Sequence, residues 1–181
     1  MFARTERLLL RPGWSEDAPA LHEAIADEGI VRNLAQAPWP YRLADAAAFL
    51  GRERRPDEPS CLVFLRGDGA PRLVGGIGLA RMPDGEAELG YWIARRYWGR
   101  GLATEAGRAL IANARQTLRL RRLVAGHFLD NPASGRLLAK LGFEPCGRVV
   151  GRYSVARREE VPCRLFALDL QPDEARTALA A

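Results

Sequence analysis

Residues 86–105, EAELGYWIARRYWGRGLATE, change periodicity half-way along. From Glu86 to Ile93 the apolar Ala87, Leu89, Tyr91 and Ile93 alternate with Glu86, Glu88, Gly90 and Trp92, the period of a half-buried β-strand. After Arg95-Arg96 comes Trp98-Gly99-Arg100-Gly101, and Leu102-Ala103-Thr104-Glu105-Ala106 then opens a helix-forming run. The two glycines fall where strand becomes helix. Glycine there can take positive φ and lets a ligand approach the backbone, while the first helical N–H groups lack intrahelical partners and carry the positive end of the dipole. Strand, glycine loop and helix start together suit a phosphate group.

Arg96-x-x-Gly99-x-Gly101 alone is also matched by ordinary tight turns, so its surroundings decide. The run GYWIARRYWGRGLATEA resembles the acyl-CoA-binding motif of the GNAT superfamily of N-acetyltransferases, more narrowly the subfamily acetylating N-terminal amines of ribosomal proteins. Asn131-Pro-Ala-Ser134-Gly-Arg-Leu-Leu-Ala-Lys140-Leu-Gly142-Phe143 resembles that family's second block, in the family's order, and the likeness extends over 4–170. The resemblance implies an α/β (α+β) fold, a single GNAT domain over 1–181 with a tail at 171–181. Its sheet would be mixed, mostly antiparallel and twisted, with about seven strands and four flanking helices. A central parallel pair would splay to admit acyl-CoA.

The element order read from the residues agrees. Thr5–Arg11 reads as a strand closed by Pro12-Gly13; Ser15 with Glu16 and Asp17 reads as the N-cap of a helix running to Glu28. Residues 29–41 are irregular, and Ala37-Pro38-Trp39-Pro40-Tyr41 can be neither helix nor central strand, so Trp39 and Tyr41 either cover the core or, as the resemblance implies, wall a substrate pocket. Leu43–Arg54 forms a second helix capped near Asp45. Cys61–Arg66 and Leu73–Arg81 form a hairpin, and the Gly75-Gly76-Ile77-Gly78 within it is no dinucleotide fingerprint, because a turn follows it instead of a helix. Arg121–Phe128 is a buried strand, parallel to Glu86–Ile93 because a helix separates them; their carboxyl ends lie together and can leave a crevice. Asn131 caps a short helix with Pro132 in its first turn, Gly142 stops it, and Arg148–Val155 and Pro162–Leu170 pair over residues 157–160. Residues 171–181 read as a tail or frayed helix.

A chain of 181 residues, 48% apolar and 27% charged, is predicted to form one ordinary globular domain. No run approaches the roughly 18 apolar residues of a membrane span, and MFARTERLLLRPGW lacks the core of a secretory signal, so a cytoplasmic protein with no membrane partner is expected. Cys61, Cys146 and Cys163 fit neither a disulfide framework nor a metal pattern, and read as reduced thiols. The net charge of +5, with Lys140 the one lysine, favours anionic partners, among them coenzyme A. The arginines are scattered among acids, which argues against nucleic acid.

The resemblance further implies direct transfer of an acetyl group from acetyl-CoA to a primary amine, with no covalent enzyme intermediate. Cofactor holding would fall to the backbone of Gly99, Arg100, Gly101, Leu102, Ala103 and Thr104, to the Arg96 and Arg100 guanidiniums, and to Asn131, whose helix cap is an ordinary alternative. Oxyanion donors would come from the main chain of Trp92, Ile93 and Ala94, where the family's strand carries a bulge. Glu88 is the chosen base, with Glu86, His127 or water in reserve; His127 also belongs to the expected substrate pocket. An α-amine with pKa near ~8 is about a tenth neutral at pH 7 and tolerates a weak base, whereas a lysine near ~10.4 does not. Many family members carry a tyrosine acid where this chain has Leu138; the narrower subfamily uses the serine matched by Ser134, which shares a helical face with Leu137, Leu138 and Leu141.

The acceptor would be a protein N-terminus or a small-molecule amine, on a monomer or homodimer. A non-catalytic acyl-CoA-binding domain and an antibiotic or polyamine acetyltransferase are the rival readings. A polycation would call for an acidic pocket, and beyond Glu86 and Glu88 the chain offers no acidic cluster.

Overall fold

A computed structural model of the chain describes residues 1–53, 55–82 and 84–170. The strands are β1 (Ala3–Arg4), β2 (Leu8–Arg11), β3 (Ser60–Leu65), β4 (Arg72–Arg81), β5 (Ala87–Ile93), β6 (Arg122–Phe128), β7 (Glu144–Ser154) and β8 (Glu159–Asp169). The helices are α1 (Ala18–Ile25), α2 (Glu28–Val31), α3 (Leu43–Leu50), α4 (Leu102–Gln116) and α5 (Pro132–Lys140). One sheet runs in the order β1-β2-β3-β4-β5-β6-β8-β7, antiparallel except for the parallel pair β5–β6. The expected fold class and central parallel pair are therefore present.

Among the described residues there are eight strands and five helices, where about seven and four were expected. Thr5–Arg7 is a turn, with Thr5 N–H donating to the Leu8 carbonyl, so Ala3–Arg4 folds back on β2 as a short extra strand. The first helix ends at Ile25, before the expected Glu28, and Asp27, extended at φ −134°, starts α2, which runs on into the stretch read as irregular. The last hairpin turns at residues 155–158, two positions early, and β7 begins at Glu144 with a register shift between Pro145 and Val149. Arg54 and the tail 171–181 lie outside the described residues.

One helix start corrects the expected cap, and a second bears its expectation out. Ser15 does not cap; it opens a turn of 3-10 helix, and the Asp17 carboxylate accepts the Trp14 N–H at 2.8 Å. Asp17 also accepts both nitrogens of the Arg11 fork at 2.7 Å, and that guanidinium lies between the Trp14 and Phe64 rings. At α3 the Arg42 N–H donates to Asp45, which lies inside the helix and caps it from there.

The strand glycines are required by close packing. A Cβ on Gly75 would stand 2.4 Å from the Trp92 carbonyl, and one on Gly76 would stand 2.5 Å from the Trp92 indole nitrogen. The glycine cluster thus lets Trp92 lie across β4. Leu8, Leu10, Val63, Val74, Leu110, Leu123 and Leu138 are wholly buried around the sheet. Cys61 and Cys163 are buried, and Cys146 is exposed.

The Arg11 ion pair is largely shielded from water, and the Arg11 hydrogen bonds hold the Asp17 carboxyl below its ordinary value of 3.8 against the opposing effect of burial. A lowered native value means that the stabilisation is complete above 3.8 and is lost as pH falls through that native value. Asp17→Asn should cost about 1–3 kcal/mol in urea unfolding at pH 7, with the gap to wild type closing on acidification.

Candidate active site

β5 and β6 are paired only at Ala87↔Leu123 and Glu88↔Val124. Beyond that, β6 follows β8 and β5 follows β4 in unbroken register from Arg81↔Ala87 to Gly75↔Ile93, so the strands part towards their carboxyl ends. The expected bulge at Trp92–Ala94 is not formed. Ala94 N–H donates to Val74 O at 2.8 Å and is committed to the sheet. Antiparallel alternation then turns the N–H groups of Tyr91 and Ile93 towards the gap, which makes Ile93 the member of the expected trio able to offer a donor there. The Ile93 carbonyl accepts the Trp98 indole N–H at 2.6 Å.

The gap opens into a cavity of about 950 Å³. At one end lies the glycine loop. Gly99 and Gly101 both have φ of +75°, a Cβ on Gly99 would meet nothing within 4 Å, and α4 starts with no side-chain cap. Gly99, Gly101, Leu102, Ala103 and Thr104 line the cavity, as do Trp92, Ile93 and Asn131. Loop and helix start thus form an open concavity of donors that fits an anionic group. The Arg96 side chain pairs with Glu23 at 3.4 Å, and the Arg100 guanidinium lies 5.5 Å from the Tyr97 ring; neither residue is part of the cavity wall. Arg136 and Lys140 on α5 do line it, and their spacing of one helical turn was the sequence signal for a second cationic station.

Asn131 caps α5, its side chain accepting the Ser134 N–H at 3.3 Å. Ser134 Oγ meets the Tyr91 hydroxyl at 2.5 Å, beside the fully buried Leu138. Burial pushes the Tyr91 phenol above its ordinary value, offset in part by the Ser134 bond. The alternation in β5 had placed Tyr91 among core residues; nothing local showed that its hydroxyl would reach a serine 43 positions on.

Glu88 lies on the opposite face of β5, since successive strand residues alternate. It lines the cavity, and its Oε1 accepts from Arg152 of β7 at 2.5 Å. Glu86 pairs with Arg122 at 3.3 Å and is not on the cavity wall. His127 is 9% exposed, wedged between Phe166 and Gly135. Its Nδ1 is 2.8 Å from the Phe128 carbonyl, which can only accept, so Nδ1 carries a proton and Nε2 is the other ring nitrogen. Tyr41 is buried, lines the cavity and is pushed up to about 12, by burial first and then by Asp45; Trp39 packs on the core and is not on the cavity wall.

The model of the acetyltransferase (GNAT) domain matches residues 7–144. The chain belongs to the GNAT family. It is 29% identical over 150 residues to the uncharacterized N-acetyltransferase YoaA of Bacillus subtilis (strain 168), covering 79% of this GNAT chain and 82% of that protein. The ribosomal protein uS5-alanine N-acetyltransferase of Escherichia coli (strain K12) is 42% identical over 59 residues, 33% of this chain and 30% of the relative. Among solved structures, a ribosomal L7/L12 alpha-N-protein acetyltransferase in complex with coenzyme A superposes with a TM-score of 0.76 at 18% identity, covering 93% of this chain and 98% of that one. No helix among the described residues is long and apolar enough to cross a membrane.

A Cβ on Gly135 would stand 2.7 Å from His127 Nε2, whereas one on Gly90 would meet nothing within 4 Å. Gly135→Ala should therefore cost about 1–3 kcal/mol in denaturant unfolding. Gly90→Ala should stay within about 0.5 kcal/mol of wild type.

Proposed function

We propose that this chain moves the acetyl group of acetyl-CoA onto an α-amine, most simply a protein N-terminus, by direct attack within one catalytic domain. The observation that carries this is the placement of two different proton-handling groups on opposite faces of one parted strand, Tyr91–Ser134 towards α5 and Glu88 towards β7.

The glycine loop and the first turn of α4 would receive the pyrophosphate, and Arg136 and Lys140 a further anionic group. The pantetheine arm would lie in the gap against the Tyr91 and Ile93 N–H groups and Asn131. As the amine nitrogen bonds to the thioester carbon, the carbonyl oxygen gains charge and the Ile93 N–H is the donor turned towards it. The attacking nitrogen loses a proton to Glu88, through water, or to the Nε2 lone pair of His127. When the C–S bond breaks, Ser134 donates to the sulfur. It can do so only if its own oxygen accepts from the Tyr91 hydroxyl, which is the sense that a phenol kept protonated by burial supports.

The acceptor follows from the carboxylates on the cavity wall. Asp45 is engaged by Arg42 N–H and Glu88 by Arg152, while Arg52, Arg136, Lys140 and Arg152 contribute positive charge. A polycation finds little to pair with there. A single α-amine needs no acidic pocket, and it supplies enough neutral amine for a weak base.

Incubation with acetyl-CoA and a panel of peptides, polyamines and aminoglycosides, read as free thiol released, should show turnover on α-amines. Thiol release with none of them would leave a non-catalytic binding domain. Gly101→Val should raise the dissociation constant of acetyl-CoA by at least about tenfold in calorimetry, because a β-branched residue resists φ of +75° and crowds the loop.

Ser134→Ala should lower turnover about 10²-fold with acetyl-CoA affinity nearly unchanged. Glu88→Gln should slow the reaction most at low pH. Equal rates for Glu88→Gln and wild type between pH 6 and 9 would hand the proton to His127 or water.

A further inference from the structure

The turn Thr5–Arg7, between β1 and β2, is fastened to the first turn of α4 by one carboxylate. Glu105 Oε1 accepts from Thr5 Oγ1 at 2.5 Å and from Arg7 N–H at 2.8 Å. Glu105 Oε2 accepts from Arg7 Nε at 2.7 Å and lies 2.7 Å from Arg7 Nη2. The third fork nitrogen, Nη1, donates to the Arg100 carbonyl at 3.0 Å. From the other side Arg66 holds the turn, its N–H on Arg7 O at 2.8 Å and its Nη1 on Thr5 O at 3.1 Å. Burial opposes ionisation of Glu105, but its bonds to Thr5 and Arg7 outweigh that and keep the carboxyl below its ordinary value.

The Arg100 carbonyl lies inside the glycine loop. A peptide unit is planar and trans, so its C=O and the next N–H point in opposite directions. Anchoring Arg100 O to Arg7 thereby sets the direction of the Gly101 N–H. The peptide joins Arg100 to Gly101, whose φ is +75°, and glycine on its carboxyl side makes rotation of such a unit inexpensive. A loop of this kind needs an external restraint to hold its donors ready for an anion.

We propose that Arg7, held in place by Glu105 and Thr5, is a positioning residue that sets the phosphate loop, turning the Gly101 N–H towards the bound anion. The proposal rests on the acetyl-CoA reading above. A simpler role for Arg7, direct attraction of phosphate by its charge, predicts effects of different sign. Removing the negative charge of Glu105 beside the loop would then strengthen anion binding. If Glu105 instead secures Arg7, the same change weakens it. Lysine in place of Arg7 keeps the charge but loses the fork that reaches both Glu105 oxygens and the Arg100 carbonyl.

The experiment is calorimetric titration of the full-length protein with coenzyme A at fixed ionic strength, using wild type, Glu105→Gln, Arg7→Lys and Arg7→Ala, each checked for a cooperative melt. Glu105→Gln should weaken binding about tenfold, and Arg7→Lys should resemble Arg7→Ala. In steady-state assays KM for acetyl-CoA should rise while kcat changes by less than about twofold. Glu105→Gln binding as tightly as wild type or tighter, or full rescue of the Arg7→Ala loss by lysine, overturns the positioning role. Should Arg7→Ala fail to fold, the near-isosteric Glu105→Gln decides alone. Wild-type protein that does not bind coenzyme A overturns the acetyl-CoA reading itself, and is distinguished from failure of the positioning role by that first titration.

Discussion

β5 and β6 share two residue pairs and then separate, each remaining bonded to its outer neighbour. The separation turns one edge of each strand inward with no strand to meet it, and buried backbone N–H and C=O groups must find partners. Tyr91 and Ile93 present N–H groups on the β5 lip, and the Ile93 carbonyl has already taken the Trp98 indole. The parting also sets the rest of the architecture: α4 starts where β5 leaves the gap, and α5 covers β6 with His127 pressed against Gly135.

Two polar pairs flank the gap, one on each face of the sheet. Tyr91 meets Ser134 on one side and Glu88 meets Arg152 on the other, with β5 as the partition. Both pairs remain next to the same opening. The walls are tied together by charge. Asp27 and Arg95 join the start of α2 to the segment before the glycine loop, and Asp130 binds Arg32 and Arg157 where the β7–β8 hairpin meets the α2 loop. Val155 N–H to Ala35 O completes that second link. Single exposed ion pairs add little stability. Joined to backbone bonds, these fix the relative placement of loops with few apolar contacts of their own.

Much of the site could be read in sequence wherever its cause is local. The change from alternation to helix at residues 86–105 gave strand, loop and helix, and Gly99 and Gly101 adopt the positive φ that their position asked for. Asn131 caps its helix through a side chain three residues from the N–H it accepts. Reading failed where two local candidates competed or a partner lay far away. Ser15 was read as the cap with Asp17 as an acid of the first turn; the Asp17 carboxylate instead takes the Trp14 N–H, and Arg11, with two aromatic rings around it, holds it there. Trp39 and Tyr41 look alike in sequence, yet Tyr41 faces the cavity and Trp39 the core.

By itself, then, the sequence determined the order of the main elements and, through the helix between them, the parallel relation of the central strands; the phosphate-suited loop and the cap of α5 follow from residues within about a helical turn of one another. Only the tertiary structure decided that Tyr91 would serve Ser134 from 43 residues away, that Glu88 would be engaged by Arg152 at a distance of 64, and that Arg7 would reach the glycine loop across 93. Those pairs are set by how strands, helices and loops distant in the chain come together in the fold. Hydrophobic period specifies which face of a strand is buried, but not which polar group on another element will stand opposite it.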